Sequence, residues 1–345
     1  MSSYFSPKEF VGFVGAETTI GTAATTLTAI EADSLPTITY NDAKTMDKRA
    51  NSLGRLLTSG DVQSHEPGAV HEFSSSGILT TELADTLVTN ALGIALSSGV
   101  AKIPSSHNPD SYAYGAGSSN SHQSITCGIA GATTLSATND LLLLACVTDS
   151  LTLSADANEM GGRFNFDMTA KTRTSTDATF VSDVVTDYSS NYLYLSDCTT
   201  SVVNGAATII DSISLTIENP ISFQGNKVVG GDKGLAENYL RSVPSLKITG
   251  SMTVKYDVTT DGFIADAKAL NVKGTTGASF LNLSDDATAV GNVDFDATSG
   301  FGFHIPAAII TEATRDESDY MRLNLSFEAV DRGAGDGGFF EFLRG

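Results

Sequence analysis

The sequence predicts a mainly β protein built from two related antiparallel β-sandwich domains, each with a short flanking α-helix. Three observations carry that reading: solubility supplied by hydroxyls instead of charges, strands that alternate in polarity, and an order of elements that occurs twice. Of the 345 residues, 39 are Ser and 40 are Thr, while charged residues make up 17%, below the roughly 25% of an average globular domain. Thr suits strands, Ser suits turns, and neither is a strong helix former. A chain this long normally divides between two hydrophobic cores.

Residues 1–30 are rich in Thr, Ala and Gly without a clear period and are read as an N-terminal arm. The first domain is expected over residues 31–180 and the second over 181–345, with a linker near 171–190. In the first, a strand runs from Asp33 to Tyr40, a long loop covers 42–70, and a strand follows from Phe73 to Leu79. Thr81 to Leu92 then reads as a helix, because Leu83, Leu87 and Ala91 share one face and Gly93 stands where a C-terminal cap belongs. Leu141 to Ser154 and Arg163 to Ala170 form a hairpin around a turn at 155–162.

The second half gives the same order. Ser212 to Glu218 alternates, and a Gly-rich stretch over 221–243 is too long for a tight hairpin. In Ser245 to Tyr256, Leu246, Ile248, Met252, Val254 and Tyr256 share one face. The other face is Ser, Thr and Lys, so this sheet shows one side to a core and one to water. A short helix is expected from Thr260 to Leu270, then apolar residues 305–310, a polar turn at 311–319 and a strand over 321–329. Strand, long loop, strand, helix, hairpin: the recurrence of all five is read as a duplication. Net charge divides evenly too, at -9 for residues 1–180 and -11 for 181–345. Gly77 and Gly250, in the strands before the two helices, are expected to be equivalent.

A net charge of -20 without a basic cluster argues against gripping a phosphate backbone, since that affinity comes from Lys and Arg. The opening MSSYFSPKEF lacks the features of a secretion signal and no run approaches 18 apolar residues, so no membrane partner is expected. Cys127, Cys146 and Cys198 are widely spaced with no CxxC, and read as reduced small hydrophobes. His65-Glu66 and His71-Glu72 miss the i, i+4 helical spacing of a zinc protease. Gly230 to Gly234 and Gly333 to Gly338 lack the spacing of phosphate and dinucleotide loops, and Asp331, Asp336 and Glu341 lack that of a calcium loop. Asp285-Asp286 reads as a solvated turn. With no GxSxG elbow and no Cys beside a His, no catalytic residue, metal or cofactor is expected, and the chain is read as no enzyme.

The segment DSISLTIENPISFQGNKVVGGDKGLAENYLRSVPSLKITGSMTVKYD, followed by a helix, resembles the core of the tail tube proteins (major tail proteins) of long-tailed bacterial viruses. GAETTIGTAA and SLTLSADANEMGGRFNFDMTAK resemble the same family. The resemblance implies a structural virion protein, made in the host cytoplasm, whose subunits form rings with a continuous inner barrel. Stacked rings would be the conduit for DNA ejection into the host. The implied partners are the chain itself, other tail proteins, and double-stranded DNA passing through without specific binding.

The chain is about twice the length of one such domain. Two tube domains per chain would let three chains do what six single-domain chains do, giving a homotrimeric ring of pseudo-six-fold shape. A homohexamer of one tube domain carrying an insertion within 95–205 is the competing assembly. Twenty-four strands spaced about 4.8 Å apart and tilted about 40° close a barrel on the order of 50 Å across, wide enough for a duplex. The alternative class is a β-sandwich binding module, such as a virion decoration protein, an adhesin or a surface-layer subunit, whose acidic loops hold carbohydrate or calcium.

Two further expectations concern contacts. The long loops carry Lys44, Lys48, Arg49, Arg55, Lys227, Lys233 and Arg241, seven of the 20 basic residues, and are expected to meet acidic surfaces on a neighbouring subunit or ring. Phe339-Phe340-Glu341-Phe342-Leu343 is costly to leave in water, so it is expected to pack on the chain's own sheet or a neighbour's.

Overall fold

A computed structural model describes residues 10–32, 34–41, 45–48, 62–65, 70–94, 100–103, 124–131, 141–172, 174–177, 184–185, 192–223, 239–241, 246–258, 260–274, 279–285, 301–317, 320–331 and 339–344. Through the first half run β1 (Phe10–Ala16), β2 (Leu27–Ala29), β3 (Thr37–Asn41), β4 (Thr45–Lys48), β5 (Val62–His65), β6 (Val70–Ile78) and α1 (Thr81–Leu92). They are followed by β7 (Val100–Ile103), β8 (Ile125–Gly131), β9 (Leu141–Asp156), β10 (Asn165–Thr172), β11 (Thr174–Asp177) and β12 (Val184–Val185). Through the second run β13 (Thr200–Val203), β14 (Ala206–Ala207), β15 (Ile210–Glu218), β16 (Ile221–Phe223), β17 (Tyr239–Arg241), β18 (Lys247–Lys255) and α2 (Phe263–Ala269). The chain ends with β19 (Val272–Lys273), β20 (Leu281–Ser284), β21 (Phe301–Ile305), β22 (Ala308–Asp316), β23 (Arg322–Ala329) and β24 (Phe340–Arg344).

The protein is mainly β, as the composition predicts, and among the described residues its sheets are antiparallel apart from the short β12·β2 pair. Along the main sheet the order β3-β6-β10-β9 is followed by β15-β18-β23-β22. The second four repeat the first four in chain order, and β9 pairs β15 where the two sets meet. Flanking strands recur as well: β2 pairs β1 and β1 pairs β8, as β14 pairs β13 and β13 pairs β20. Residues 10–16 and 27–29, within the segment read as an arm, are thus strands of the sheet, and Phe13 and Val14 are fully buried. Their period was hidden because residues 12–15 are buried on both faces, with Gly12 and Gly15 on opposite faces where a Cβ would run into Pro36 and into the Thr26 carbonyl.

A six-stranded sheet, β14-β13-β20-β21-β24-β7, packs over the apolar face of the main sheet. Phe280, beside β20, lies 5.0 Å ring to ring from Phe327 of β23, and Phe301 and Phe342 of the small sheet lie 6.0 Å apart. The C-terminal aromatics therefore pack on the chain's own sheet, with Phe340 and Phe342 fully buried. The helix α1 joins the same core through Leu83, Leu87 and Ala91. Thr80 caps its start by accepting from the Leu83 N–H, and Gly93, at φ 69°, ends it by donating to Asn90 and Thr89.

Five local expectations are corrected. The long loops at 42–70 and 221–243 contain paired strands, β4 with β5 and β16 with β17, which occupy the same place in the two halves. The polar turn at 311–319 is a strand as far as Asp316, whose charges mark a sheet edge and not a turn. α2 starts at Phe263 because the Thr260 hydroxyl is occupied in the preceding turn, accepting from Asp257 N–H and donating to the Lys255 carbonyl. Gly77 and Gly250 are not equivalent: matched strand to strand, Gly250 takes the place of Phe73, and Gly77 that of Val254. The stretch read as a linker carries β11 and β12.

Candidate assembly surface

Alternation along β10, β15, β18 and β23 gives this part of the main sheet two unlike faces. One is apolar and buried; the other is a wall of short hydroxyls. Ser154, Ser214, Ser251 and Ser326 stand side by side across β9, β15, β18 and β23, flanked by Asn165 and Glu312. The next row is Asp156, Ser212, Thr253, Asn324 and Thr314. These residues line a broad, shallow trough. Thr253 donates to Asn324 at 2.9 Å, and the hydroxyls of Thr152 and Thr216 meet at 2.9 Å across the β9·β15 junction.

Three cations on this face are tied to carboxylates, Lys171 to Asp149 at 2.7 Å, Lys247 to Glu328 at 3.3 Å and Arg322 to Asp211 at 2.6 Å, while Lys255, opposite Arg322, is exposed. Asp149 also accepts from Ile221 N–H through its side chain and from Asn219 N–H through its carbonyl, binding β9 to the chain beyond β15. Asn219 donates to the Ala91 carbonyl of α1, so the junction is held from both faces.

The two ends of the eight-strand order are open. Among the described residues no strand pairs with the outer side of β3, and β19 covers β22 only at Ile309 and Ala308. Past that point Glu312, Thr314 and Arg315 are exposed. Arg315 lies 4.8 Å above the Tyr256 ring and 3.1 Å from Asp261, whose carboxylate also accepts from the Tyr256 hydroxyl and holds that phenol above its ordinary range.

Of the seven basic residues, Lys48 lies in β4 opposite Val62 and Arg241 in β17 opposite Ile221. Lys44, Arg49, Arg55, Lys227 and Lys233 lie outside the described residues. Sequence reading missed the Thr152–Thr216 junction, although both strands alternate clearly; only their pairing brings the hydroxyls together.

Three polar clusters lie away from this surface. Ser279 Oγ is 2.5 Å from His304 Nε2, and His304 Nδ1 is 2.9 Å from Glu341 Oε2. That sequence of atoms matches a nucleophile, base and orienting acid. Ser279 is 1% exposed and Glu341 0%, however, so the chain of contacts ties the loop before β20 to β21 and β24, under the surface. Asp331 is exposed whereas Glu341 is fully buried, and Asp336 lies outside the described residues. Glu17 takes hydrogen bonds from Ala145 N–H, Ser124, Gly21 N–H and Thr126. Burial raises its carboxyl above the ordinary 4.5, while those donors pull it down. Burial likewise pushes the Cys198 thiol up to about 12, with Asp285 and Asp197 adding to the shift. Among the described residues no three His, Cys, Asp or Glu side chains cluster as metal ligands, and no helix is long and apolar enough to cross a membrane.

Fold and surface together define a mainly β protein that presents a hydroxyl wall between two open strand edges. The sequence model of the phage tail tube protein family matches residues 9–329, and the chain belongs to that family. It is accordingly a structural protein of the bacteriophage virion tail, of a kind that assembles with itself and with other tail proteins. No curated protein matches it.

Proposed function

We propose that the chain is a ring-forming subunit in which two tube domains are fused, three chains closing one pseudo-six-fold ring. The division falls near residue 180, with β1 and β2 adding to the first domain as β13 and β14 add to the second. The observation that carries this reading is the repeated strand order with β9·β15 at its centre. Each domain offers four strands to an inner barrel, and the β9·β15 contact serves inside the chain as the domain-to-domain contact of the ring. Fusion makes half of those contacts intramolecular, which raises the effective concentration for closure.

In this reading the hydroxyl wall lines the lumen of the stacked rings. DNA slides along it because Lys171, Lys247 and Arg322 there are neutralised by carboxylates, leaving fewer sites for phosphate. The hairpins β4·β5 and β16·β17, with the seven basic residues in and beside them, serve ring-to-ring stacking against acidic surfaces. Electron microscopy of the purified protein tests the reading. Rings or tubes with three chains per layer are expected; six chains per ring would overturn the fusion, and compact monomers the tube itself.

A further inference from the structure

Resting on that reading, we infer that the outer edge of β22 in one copy pairs antiparallel with β3 of the next, in the register of β9·β15, setting Thr314 opposite Thr39. The register follows from four steps within the chain. β10 and β23 show the same run of buried and exposed residues over eight positions. Each faces a one-residue bulge at the same point, Asp149 between Thr148 and Ser150 in β9, Thr311 between Ile310 and Glu312 in β22. Bulges pin register, so Ser150 corresponds to Glu312 and Thr152 to Thr314. On the other side, Thr169 faces Ser74 and Ser74 faces Thr37, while Ser326 faces Ser251 and Ser251 faces Ser214. Hence Thr216 corresponds to Thr39.

Thr152 and Thr216 are directly opposite each other at the junction, with their hydroxyls 2.9 Å apart. Their counterparts at the two open edges are again both threonine, and both are exposed. Core-facing neighbours agree. Leu151 and Leu215 are 0% and 1% exposed at the junction, whereas their counterparts Ala313 and Ile38 are only partly covered. β19 leaves β22 open from Glu312 onward, as β8 leaves β9 open for β15. A second copy supplies what the edges lack: a strand with matching side-chain period and matching hydroxyls.

The test is a cysteine pair. Thr39→Cys with Thr314→Cys is oxidised mildly in assembled tubes and run without reductant, beside Thr39→Cys with Glu312→Cys and Thr39→Cys with Asp316→Cys, each shifted by two residues. Directly opposite strand positions fit disulfide geometry and positions two residues away do not, so the matched pair should give covalent trimers in about tenfold greater yield. Tubes in which a shifted pair cross-links better, or none does, overturn the register and leave the tube reading standing. Absence of tubes from the unmodified chain overturns both. Hydrogen exchange on the unmodified protein is a second readout: assembly should protect Thr37–Asn41 and Glu312–Asp316 together, and unchanged exchange there refutes the pairing.

Discussion

Gly250 lies directly opposite Phe327 across β18 and β23, and a Cβ on Gly250 would run into the Phe327 ring. The corresponding pair in the first half is Phe73 opposite Ala170, large and small exchanged between strands. Gly250→Ala should therefore destabilise the fold by about 1–3 kcal/mol through overpacking. Gly250→Phe combined with Phe327→Ala, which reproduces the first-half pair, should cost less than the two single changes added together. Urea denaturation of the four proteins measures the coupling, and strict additivity would refute it.

Glu17 is an acceptor surrounded by donors. Glu17→Gln turns an amide N–H2 toward two of them, so it should cost about 1–3 kcal/mol despite removing a buried charge. The pH dependence has a definite sign. Because the folded carboxyl is raised above 4.5, its contribution is fully present below the unfolded value and declines as pH rises through the folded one. The advantage of the parent over the Gln variant should shrink as pH rises above 4.5; growth in that direction would contradict the assignment.

β24 lies between β21 and β7, with Phe340, Phe342 and Leu343 fully buried. Each such side chain is worth about 1.5–3 kcal/mol of burial, against a total stability of about 5–15 kcal/mol for a typical protein. Truncation after Gly338 should lower the melting temperature sharply or prevent folding. Unchanged melting would show that the small sheet does not need its C-terminal strand.

The β16·β17 pair is assigned to stacking in the proposed tube. Deleting residues 225–236, which removes Lys227 and Lys233, should leave a folded subunit with normal circular dichroism that forms rings but no longer elongates. Tubes of ordinary length from the deletion variant would remove stacking from the role of this segment.

Elements set by neighbours a few residues apart were legible. The bounds of α1 follow from Thr80, the Leu83–Leu87–Ala91 stripe and Gly93, and β10 and β23 from one-sided burial. Strands without a clean two-sided contrast were not. β1 hides its period because residues 12–15 are buried on both faces, and the end of β22 carries charges on both sides because an edge strand meets water on both. The Ser279–His304–Glu341 chain joins residues brought together only by the pairing of β21 with β24.

By itself the sequence determined the mainly β class, the acidic hydroxyl-rich surface, the two helices and the recurrence of element order, since each is written in composition or in spacing along the chain. Only the tertiary structure decided that the two halves share one continuous sheet through β9 and β15, which residues stand opposite one another there, and which edges stay open. The physical reason is that alternation says which face a residue takes but not which strand lies beside it. That choice is made by bulges, turns and core packing among residues far apart in the chain.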